Sequence, residues 1–140
     1  MDLSKIIISK LNSIPTQGGD VLHACKSSDI GFIEFGEVYF SWIKAQYVKA
    51  WKRHSLMTLN LVVPIGLVKF VFFLDNDPTI FRKEVIGSSN YCRLTVPPGI
   101  WFGFQGISKE SSLVVNIADI EHDDNEISKI EKSKVKFNWD

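Results

Sequence analysis

The stretch RLTVPPGIWFGF, residues 93–104, shows the pattern that decides the fold. Its first four residues, Arg93 to Val96, favour a short β-strand. Pro97, Pro98 and Gly99 follow directly and mark a turn, because proline cannot donate to a β-ladder and glycine tolerates a left-handed backbone. The stretch therefore predicts a strand that ends in a tight turn.

The same succession of short β segments and turns continues in both directions along the chain. Residues 32–42 alternate between two faces, which are Glu37, Tyr39 and Ser41 on one side and Val38, Phe40 and Trp42 on the other. Further strand candidates are residues 5–11, 20–26, 60–63, 67–75, 112–118 and 135–139. Pro64 restricts its segment to a sheet edge or a bulge, because proline cannot donate a backbone hydrogen bond. The many charges of residues 122–132 predict a loop or a short exposed helix. The pattern as a whole indicates an all-β protein.

Composition narrows the class of protein. With 140 residues the chain has the size of one domain, and we expect a single domain over residues 1–140. Sixteen basic and sixteen acidic residues cancel, which argues against nucleic acid or a membrane as a partner. The chain has only two cysteines, Cys25 and Cys92, and no signal-peptide pattern at its N-terminus. We therefore expect a cytoplasmic protein with reduced thiols.

Several motifs resemble, in their order along the chain, one family of nucleotide-sugar enzymes. They are GEVYFS (36–41), VKAWKRH (48–54), NLVV (60–63) with Gly66, PPGIWFGF (97–104), residues 116–126 and FNWD (137–140). Over residues 20–140 the chain resembles the dTDP-4-dehydrorhamnose 3,5-epimerase family, and the Pro-Pro-Gly-x-x-x-Gly-Phe turn is the most specific part of this resemblance. The resemblance implies a cupin or jelly-roll β-barrel, also called a double-stranded β-helix. It also implies a homodimer, to which an N-terminal edge strand would be suited.

The resemblance implies a catalytic role for one residue above all. In that family a histidine at the His54 position removes a proton beside the C4 ketone of a dTDP-linked sugar, helped by an aspartate, while a tyrosine returns a proton and a lysine stabilises the enolate. Val115 stands near the tyrosine position and Asn60 near the lysine position, and the shorter C-terminus offers no counterpart of the aspartate. Because double epimerisation needs a base, an acid and an electrophile, a single epimerisation, a tautomerisation or binding alone fits better. Tyr39 and Tyr47 are the candidates for the missing acid.

Other residues of these motifs are candidates for binding the nucleotide sugar. Aromatic rings that would stack on a base or a sugar, or else belong to the core, are Trp51, Trp101, Phe102 and Phe104. Cations that would neutralise a diphosphate, or else be scattered surface charge, are Lys49, Lys52, Arg53 and Arg93. Tyr39, Ser41 and Asn60 complete the predicted binding set.

The sequence predicts no metal and no cofactor. The three histidines, His23, His54 and His122, are too widely spaced for a dedicated metal motif. Phe102 stands where many metal-binding cupins carry a histidine, and phenylalanine cannot be a ligand.

Three classes of function follow, in decreasing order of preference. The first is a nucleotide-sugar epimerase or isomerase with His54 as its base, although the 3,4-ketoisomerases normally carry a close histidine pair that this chain lacks. The second is a noncatalytic sugar-binding or structural cupin in polysaccharide biosynthesis. The third, a metal-dependent cupin, requires His54 to meet His23 or His122 in space.

Overall fold

The computed structural model describes all residues, 1–140, and consists mainly of β-strands. The strands are β1 (Ile7–Lys10), β2 (Ser13–Ile14), β3 (Val21–Leu22), β4 (Glu37–Ile43), β5 (Val48–His54), β6 (Leu59–Ile65), β7 (Leu67–Leu74), β8 (Asp77–Gly87), β9 (Cys92–Val96), β10 (Trp101–Gly106), β11 (Ser112–Ala118) and β12 (Ile127–Lys129). Three short 3₁₀ helices lie at Leu3–Lys5, Asp124–Glu126 and Lys132–Lys134. None of the helices has the length and the apolar character needed to cross a membrane.

Ten of the strands form two antiparallel sheets that pack face to face. The first sheet has the order β1-β9-β6-β11-β4, and the second has the order β12-β5-β10-β7-β8. From β4 to β7 successive strands alternate between the sheets, which is the winding of a jelly roll. The expected all-β cupin fold is therefore confirmed, with β2 and β3 as a separate small hairpin.

The main core lies between the two sheets. Leu59, Leu61 and Val63 point inward from β6, while Phe70 and Phe72 point inward from β7, and all five are buried. Each large apolar side chain removed from water contributes about 1.5–3 kcal/mol, so this layer is the principal source of stability.

A second cluster lies on the outer face of the second sheet. Its buried members are Trp51, Val71, Phe73, Trp101 and Val135. Val71 and Phe73 alternate along β7 with the inward-facing phenylalanines, which places this cluster on the opposite side of the sheet. Phe137 and Trp139 pack against it, so the C-terminal tail returns to the barrel, although residues 135–139 do not form the predicted strand.

A β-bulge in β5 determines which of its side chains face the barrel interior. Phe102 of β10 pairs with Lys52, whereas the next residue, Gly103, pairs with Ala50, so Trp51 has no partner in the ladder. The additional residue breaks the alternation, and Trp51 packs outside while Lys52 lines the interior. Glycine is the only residue type that fits at position 103, opposite the bulge. A Cβ there would lie 2.6 Å from the Ala50 Cβ and 3.0 Å from the Trp51 ring.

Pro64 marks a second bulge, which is one of the two positions, a sheet edge or a bulge, that the sequence allowed for it. It lies in β6, which is central in the first sheet. Val62 pairs with Val115, and Ile65 pairs with Leu113. Between these two pairs β6 therefore contains one residue more than β11, which is a bulge in β6. Proline is accommodated there because a bulge leaves a residue outside the ladder.

Besides residues 135–139, three of the expected segments differ from the sequence-based expectation. Residues 20–26 contribute only the two-residue strand β3, and the strand expected over 32–42 begins at Glu37. Residues 122–132, expected as a loop or an exposed helix, contain a 3₁₀ turn and the strand β12, which pairs with β5. Pairing partners far away in the sequence decide these boundaries, and a local pattern does not contain them.

The bulge makes Gly103 sensitive to substitution. Gly103→Ala is expected to lower the free energy of unfolding by about 1–3 kcal/mol, because the new methyl group overlaps with Ala50 and Trp51. Gly18→Ala is the matched control, since a Cβ at Gly18 would meet nothing within 4 Å. Urea unfolding of both variants measures the difference, and equal stabilities would contradict the packing at the bulge.

Candidate active site

The principal cavity lies between the two sheets and opens beside β4 and β5. It has a volume of about 520 Å³, a size typical of small-molecule sites. The first sheet contributes Tyr39, Ser41, Leu59, Leu61, Val114 and Asn116 to its wall, and the second contributes residues 49–52, Phe102, Phe104 and Lys129, followed by Ile130 and Glu131. Apolar side chains with a few polar groups therefore surround the cavity, which is the lining typical of a small-molecule site.

His54 ends β5 and is held by a carboxylate from the far end of the chain. Its Nδ1 hydrogen-bonds Glu126, which immediately precedes β12, and Ile127 of β12 pairs with His54 in the ladder. The second oxygen of Glu126 accepts the backbone N–H groups of Leu56, at 3.0 Å, and Met57, at 2.9 Å. Both side chains are nearly inaccessible, with 4% of His54 and 2% of Glu126 exposed. The imidazole is therefore fixed in one orientation.

The electrostatics of this pair favour a neutral imidazole with a free Nε2. Burial lowers the pKa of His54 below its ordinary value of 6.5, although the hydrogen bond and the charge of Glu126 act in the opposite direction. For Glu126, burial raises the pKa, but hydrogen bonds from His54, Met57 and Leu56 outweigh it and leave the pKa lowered. An ionised Glu126 accepts the Nδ1 proton, so the lone pair of the ring lies on Nε2.

The Nε2 atom of His54 is buried and has no hydrogen-bond partner. His54 itself does not line the cavity. Its imidazole stacks on the ring of Phe102, with centroids 6.1 Å apart, and Phe102 lies between the histidine and the cavity, which it lines. A buried acceptor without a partner is rare in native proteins and is often functional. This geometry suits a general base that takes a proton from a molecule in the cavity.

A tyrosine lies on the opposite wall of the cavity. Asn116 donates a hydrogen bond from Nδ2 to the Tyr39 hydroxyl at 2.9 Å, so that the phenolic proton is free to be donated elsewhere. Burial raises the pKa of Tyr39, with smaller contributions from the Glu37 and Glu126 carboxylates, and the hydrogen bond from Asn116 opposes them. Tyr39 is therefore protonated at neutral pH. Tyr47, the other candidate acid, is 57% exposed and does not line the cavity.

Asn60 and Arg93, both expected to bind substrate, lie on the other face of the first sheet. Arg93 is 1% exposed and donates from Nε to the Asn60 side chain at 3.1 Å. Its remaining nitrogens bond the Ala24 carbonyl at 3.0 Å, the Ile30 carbonyl at 2.9 Å and the Asp29 carboxylate at 3.3 Å. These contacts hold the loop over residues 24–31 against the sheet, and neither side chain lines the principal cavity.

The other predicted binding residues divide between the cavity and the outer face of the second sheet. Those that line the cavity, besides Tyr39, are Ser41, Lys49, Trp51 and Phe102. The Trp51 indole nevertheless packs in the outer cluster, where its Nε1 donates to the Lys132 carbonyl at 3.3 Å. Trp101 lies wholly in that cluster, stacked on Phe73 at 6.0 Å and hydrogen-bonded to Asp75.

Two features of the site were not identified from the sequence. Glu126 belongs to a motif that supports the resemblance, but its place among charged residues gave no sign that it would be buried. Asn116 lies two residues after Val114 on β11 and shares its face, a spacing that could have indicated an inward-facing amide. No three of the histidine, cysteine, aspartate and glutamate side chains converge so as to hold a metal ion.

No family model matches the chain. Among curated proteins, a "Probable low-salt glycan biosynthesis epimerase" of Haloferax volcanii is 30% identical over 83 residues, which cover 56% of this chain and 53% of that protein. The match thus spans about half the length of this curated relative.

Two solved structures extend the comparison to nearly the whole chain. A dTDP sugar isomerase from Desulfovibrio desulfuricans G20 is 36% identical, with a TM-score of 0.89 over 96% of this chain and 90% of that chain. A dTDP-4-dehydrorhamnose 3,5-epimerase from Bacillus anthracis, with TDP and PPi bound, has a TM-score of 0.82 over 99% of this chain and 87% of that chain. Its sequence is 14% identical, so this likeness shows the shared fold alone. At 36% identity over nearly its whole length, the chain belongs to the family of the dTDP sugar isomerase.

The hydrogen bond between His54 and Glu126 predicts the tautomer of the ring. In the native protein, ¹⁵N NMR of the side chain should show a protonated Nδ1 and a bare Nε2 at pH 7, with a pKa below 6.5. Glu126→Gln retains an oxygen for Leu56 and Met57 but offers an NH₂ donor to Nδ1. The proton is then expected on Nε2, and the pKa of His54 should fall further because a negative charge has been lost.

Asp124→Asn provides the matched control. Asp124 is an exposed carboxylate two residues from Glu126, and it bonds the ring of His122 at 2.9 Å instead. This variant should leave the tautomer of His54 unchanged. A native Nε2–H tautomer, or the same spectrum in Glu126→Gln, would show that Glu126 does not orient the ring.

Proposed function

We propose that the protein is a nucleotide-sugar epimerase or isomerase that acts on a dTDP-4-keto-6-deoxyhexose or a close relative, with His54 as the catalytic base. The observation that carries this proposal is the buried, partnerless Nε2 of His54 beside the cavity, with Glu126 holding the Nδ1 proton. A carbon next to a ketone is acidic enough for such a base, because the negative charge moves to the carbonyl oxygen.

The proton transfer follows from the two walls of the cavity. His54 Nε2 takes the proton from the carbon, and the C–H electron pair forms a carbon–carbon double bond while the carbonyl becomes an enolate. Tyr39, on the opposite wall, donates its phenolic proton to the other face of that carbon, which inverts the configuration. Return of the proton by the His54 imidazolium, to the same or a neighbouring carbon, gives exchange or isomerisation instead.

Binding of the nucleotide sugar is proposed for the same cavity. The rings of Phe102 and Phe104 offer stacking surfaces, and Lys49 and Lys129 bring positive charge to the lining. TDP is present in the Bacillus anthracis epimerase structure, which has the same fold. We place no metal ion or cofactor in the reaction, since the proposed steps use only side chains.

The proposed partner beyond the substrate is a second copy of the chain. Val38, Phe40 and Trp42 project from the outer face of β4, an edge strand, and are 41%, 67% and 57% exposed. An apolar patch of this kind is typical of a protein–protein interface, and homo-oligomers most often form by two-fold pairing.

We place the protein in the cytoplasm, because Cys25 and Cys92 are both free.

Solvent deuterium wash-in tests the catalytic proposal. Incubation with dTDP-4-keto-6-deoxyglucose in D₂O should introduce deuterium beside the ketone, detected by NMR. His54→Ala should reduce the rate by about 10²–10⁴-fold because the base is lost. His23→Ala is the matched control, since His23 lines a separate small pocket beside Arg93 on the other face of the first sheet, and it should retain the native rate.

Two outcomes of this experiment would contradict the proposal. Wash-in that persists in His54→Ala would exclude His54 as the base. Ligand-induced shifts without any wash-in in the native protein would support the noncatalytic sugar-binding alternative, which is consistent with Val115 and Asn60 at the family's tyrosine and lysine positions.

The dimer proposal has its own test. Native protein should sediment as a dimer, and the double variant Phe40→Glu, Trp42→Glu should sediment as a monomer, because two charges would have to be buried in the interface. Ile80→Glu is the control, since Ile80 is 59% exposed on β8 of the second sheet. A native monomer, or a dimer that survives the double substitution, would refute this interface.

A further inference from the structure

Lys52 is the cavity cation nearest to the candidate base along the chain. Both residues lie on β5 beyond the bulge, two positions apart, and therefore face the same side of the sheet. Two positions along a strand correspond to about 6.6 Å, a distance that a single small substrate spans. The side chain of Lys52 is half-buried and lines the cavity beside Phe102, its partner in the ladder.

The other two lysines of the cavity are engaged elsewhere or exposed. Lys49 lies before the bulge, and its ammonium donates to the Trp42 carbonyl at 2.9 Å. Lys129 is exposed on β12, the edge strand of the second sheet. The ammonium group of Lys52, by contrast, makes no hydrogen bond and no ion pair in the structure. Its three N–H donors therefore remain available for a ligand.

The proposed reaction requires a group with these properties. Removal of a proton beside a ketone places negative charge on the carbonyl oxygen, and a positioned donor for this oxygen is usually worth a large part of the rate. Asn60 stands near the family's lysine position, but its side chain bonds Arg93 and Thr95 on the other face of the sheet. The electrophile must therefore come from another position in this chain.

We propose that Lys52 is the electrophile that stabilises the enolate formed by His54, an inference that rests on the proposed function. As the C–H bond breaks toward His54 Nε2, the electron pair forms the carbon–carbon double bond and the carbonyl π-pair moves to oxygen. The Lys52 ammonium donates a hydrogen bond to this oxygen and keeps its proton. On reprotonation of the carbon, the ketone re-forms and the lysine is unchanged.

The charges around Lys52 suit this role. Burial lowers its pKa from the ordinary value of 10.5, and the neighbouring Lys129 and Lys49 lower it further, whereas the Glu126 and Asp124 carboxylates oppose them. A lower pKa brings the ammonium closer in acidity to an enol, which strengthens its hydrogen bond to the enolate. Because the rate needs the charged form, activity should decline as pH rises through the pKa of Lys52, and this alkaline decline should occur below pH 10.5.

Lys52→Met tests the inference with readouts that separate catalysis from binding. The wash-in kcat should fall by about 10²–10³-fold, as for the loss of one oxyanion donor. The Kd for dTDP, measured by calorimetry, should change less than about 3-fold, and the alkaline limb of the pH profile should disappear. Lys52→Arg, which keeps a cation that does not deprotonate, should restore part of the rate without that limb.

Lys83→Met controls for the loss of one positive charge, because Lys83 is exposed on β8 and does not line the cavity. Thermal unfolding of each variant verifies that it folds. If kcat is retained in Lys52→Met, Lys52 is not the electrophile. If dTDP affinity falls in parallel with kcat, Lys52 is not the electrophile either, and a role in diphosphate binding replaces it. Absence of wash-in from the native protein would instead overturn the proposed function, and this inference with it.

Discussion

A single additional residue in β5 determines the chemistry of the cavity. In an uninterrupted strand Lys49 and Trp51 would share one face, and His54 would lie on the other. The bulge at Trp51 reverses this alternation, so that Lys49, Lys52 and His54 all belong to the inner side. Gly103 makes the arrangement possible, since any side chain there would collide with the bulge. Lys52 and the candidate base His54 share one side because of this irregularity.

The same bulge secures the segment that carries the partner of His54. With its side chain outside, Trp51 exchanges backbone hydrogen bonds with Ile130, at 3.1 and 3.2 Å, and extends the pairing of β5 with β12. Glu126 directly precedes β12, so this pairing brings its carboxylate to the imidazole. The Trp51 ring also packs near Phe137 and Trp139, and the C-terminal tail is thereby anchored on the outer face. The packing of the tail and the contact between His54 and Glu126 are coupled through β5.

The interior near His54 contains a buried charge and a buried polar atom without a partner, and both lower stability. Glu126 is a buried charge, and three hydrogen bonds compensate for its removal from water. The His54 Nε2 has no such compensation, and a buried polar atom without a partner costs about 1–3 kcal/mol. Such a cost is tolerated where a ligand supplies the missing contact, as in an enzyme whose substrate approaches that atom.

The sequence by itself determined the all-β class and restricted the Pro64 segment to a sheet edge or a bulge. Its motifs also carried the family resemblance that made His54 the candidate base. These features rest on local signals, namely alternation, the absence of an N–H in proline and a short motif around the histidine. Only the tertiary structure decided that Lys52 faces inward, since the bulge is defined by pairing with Gly103 of another strand. It alone also brought Glu126 to His54 across 72 positions and turned Asn60 away from the cavity. Such contacts depend on strand register and sheet order, which arise when the whole chain packs and which no local window of residues contains.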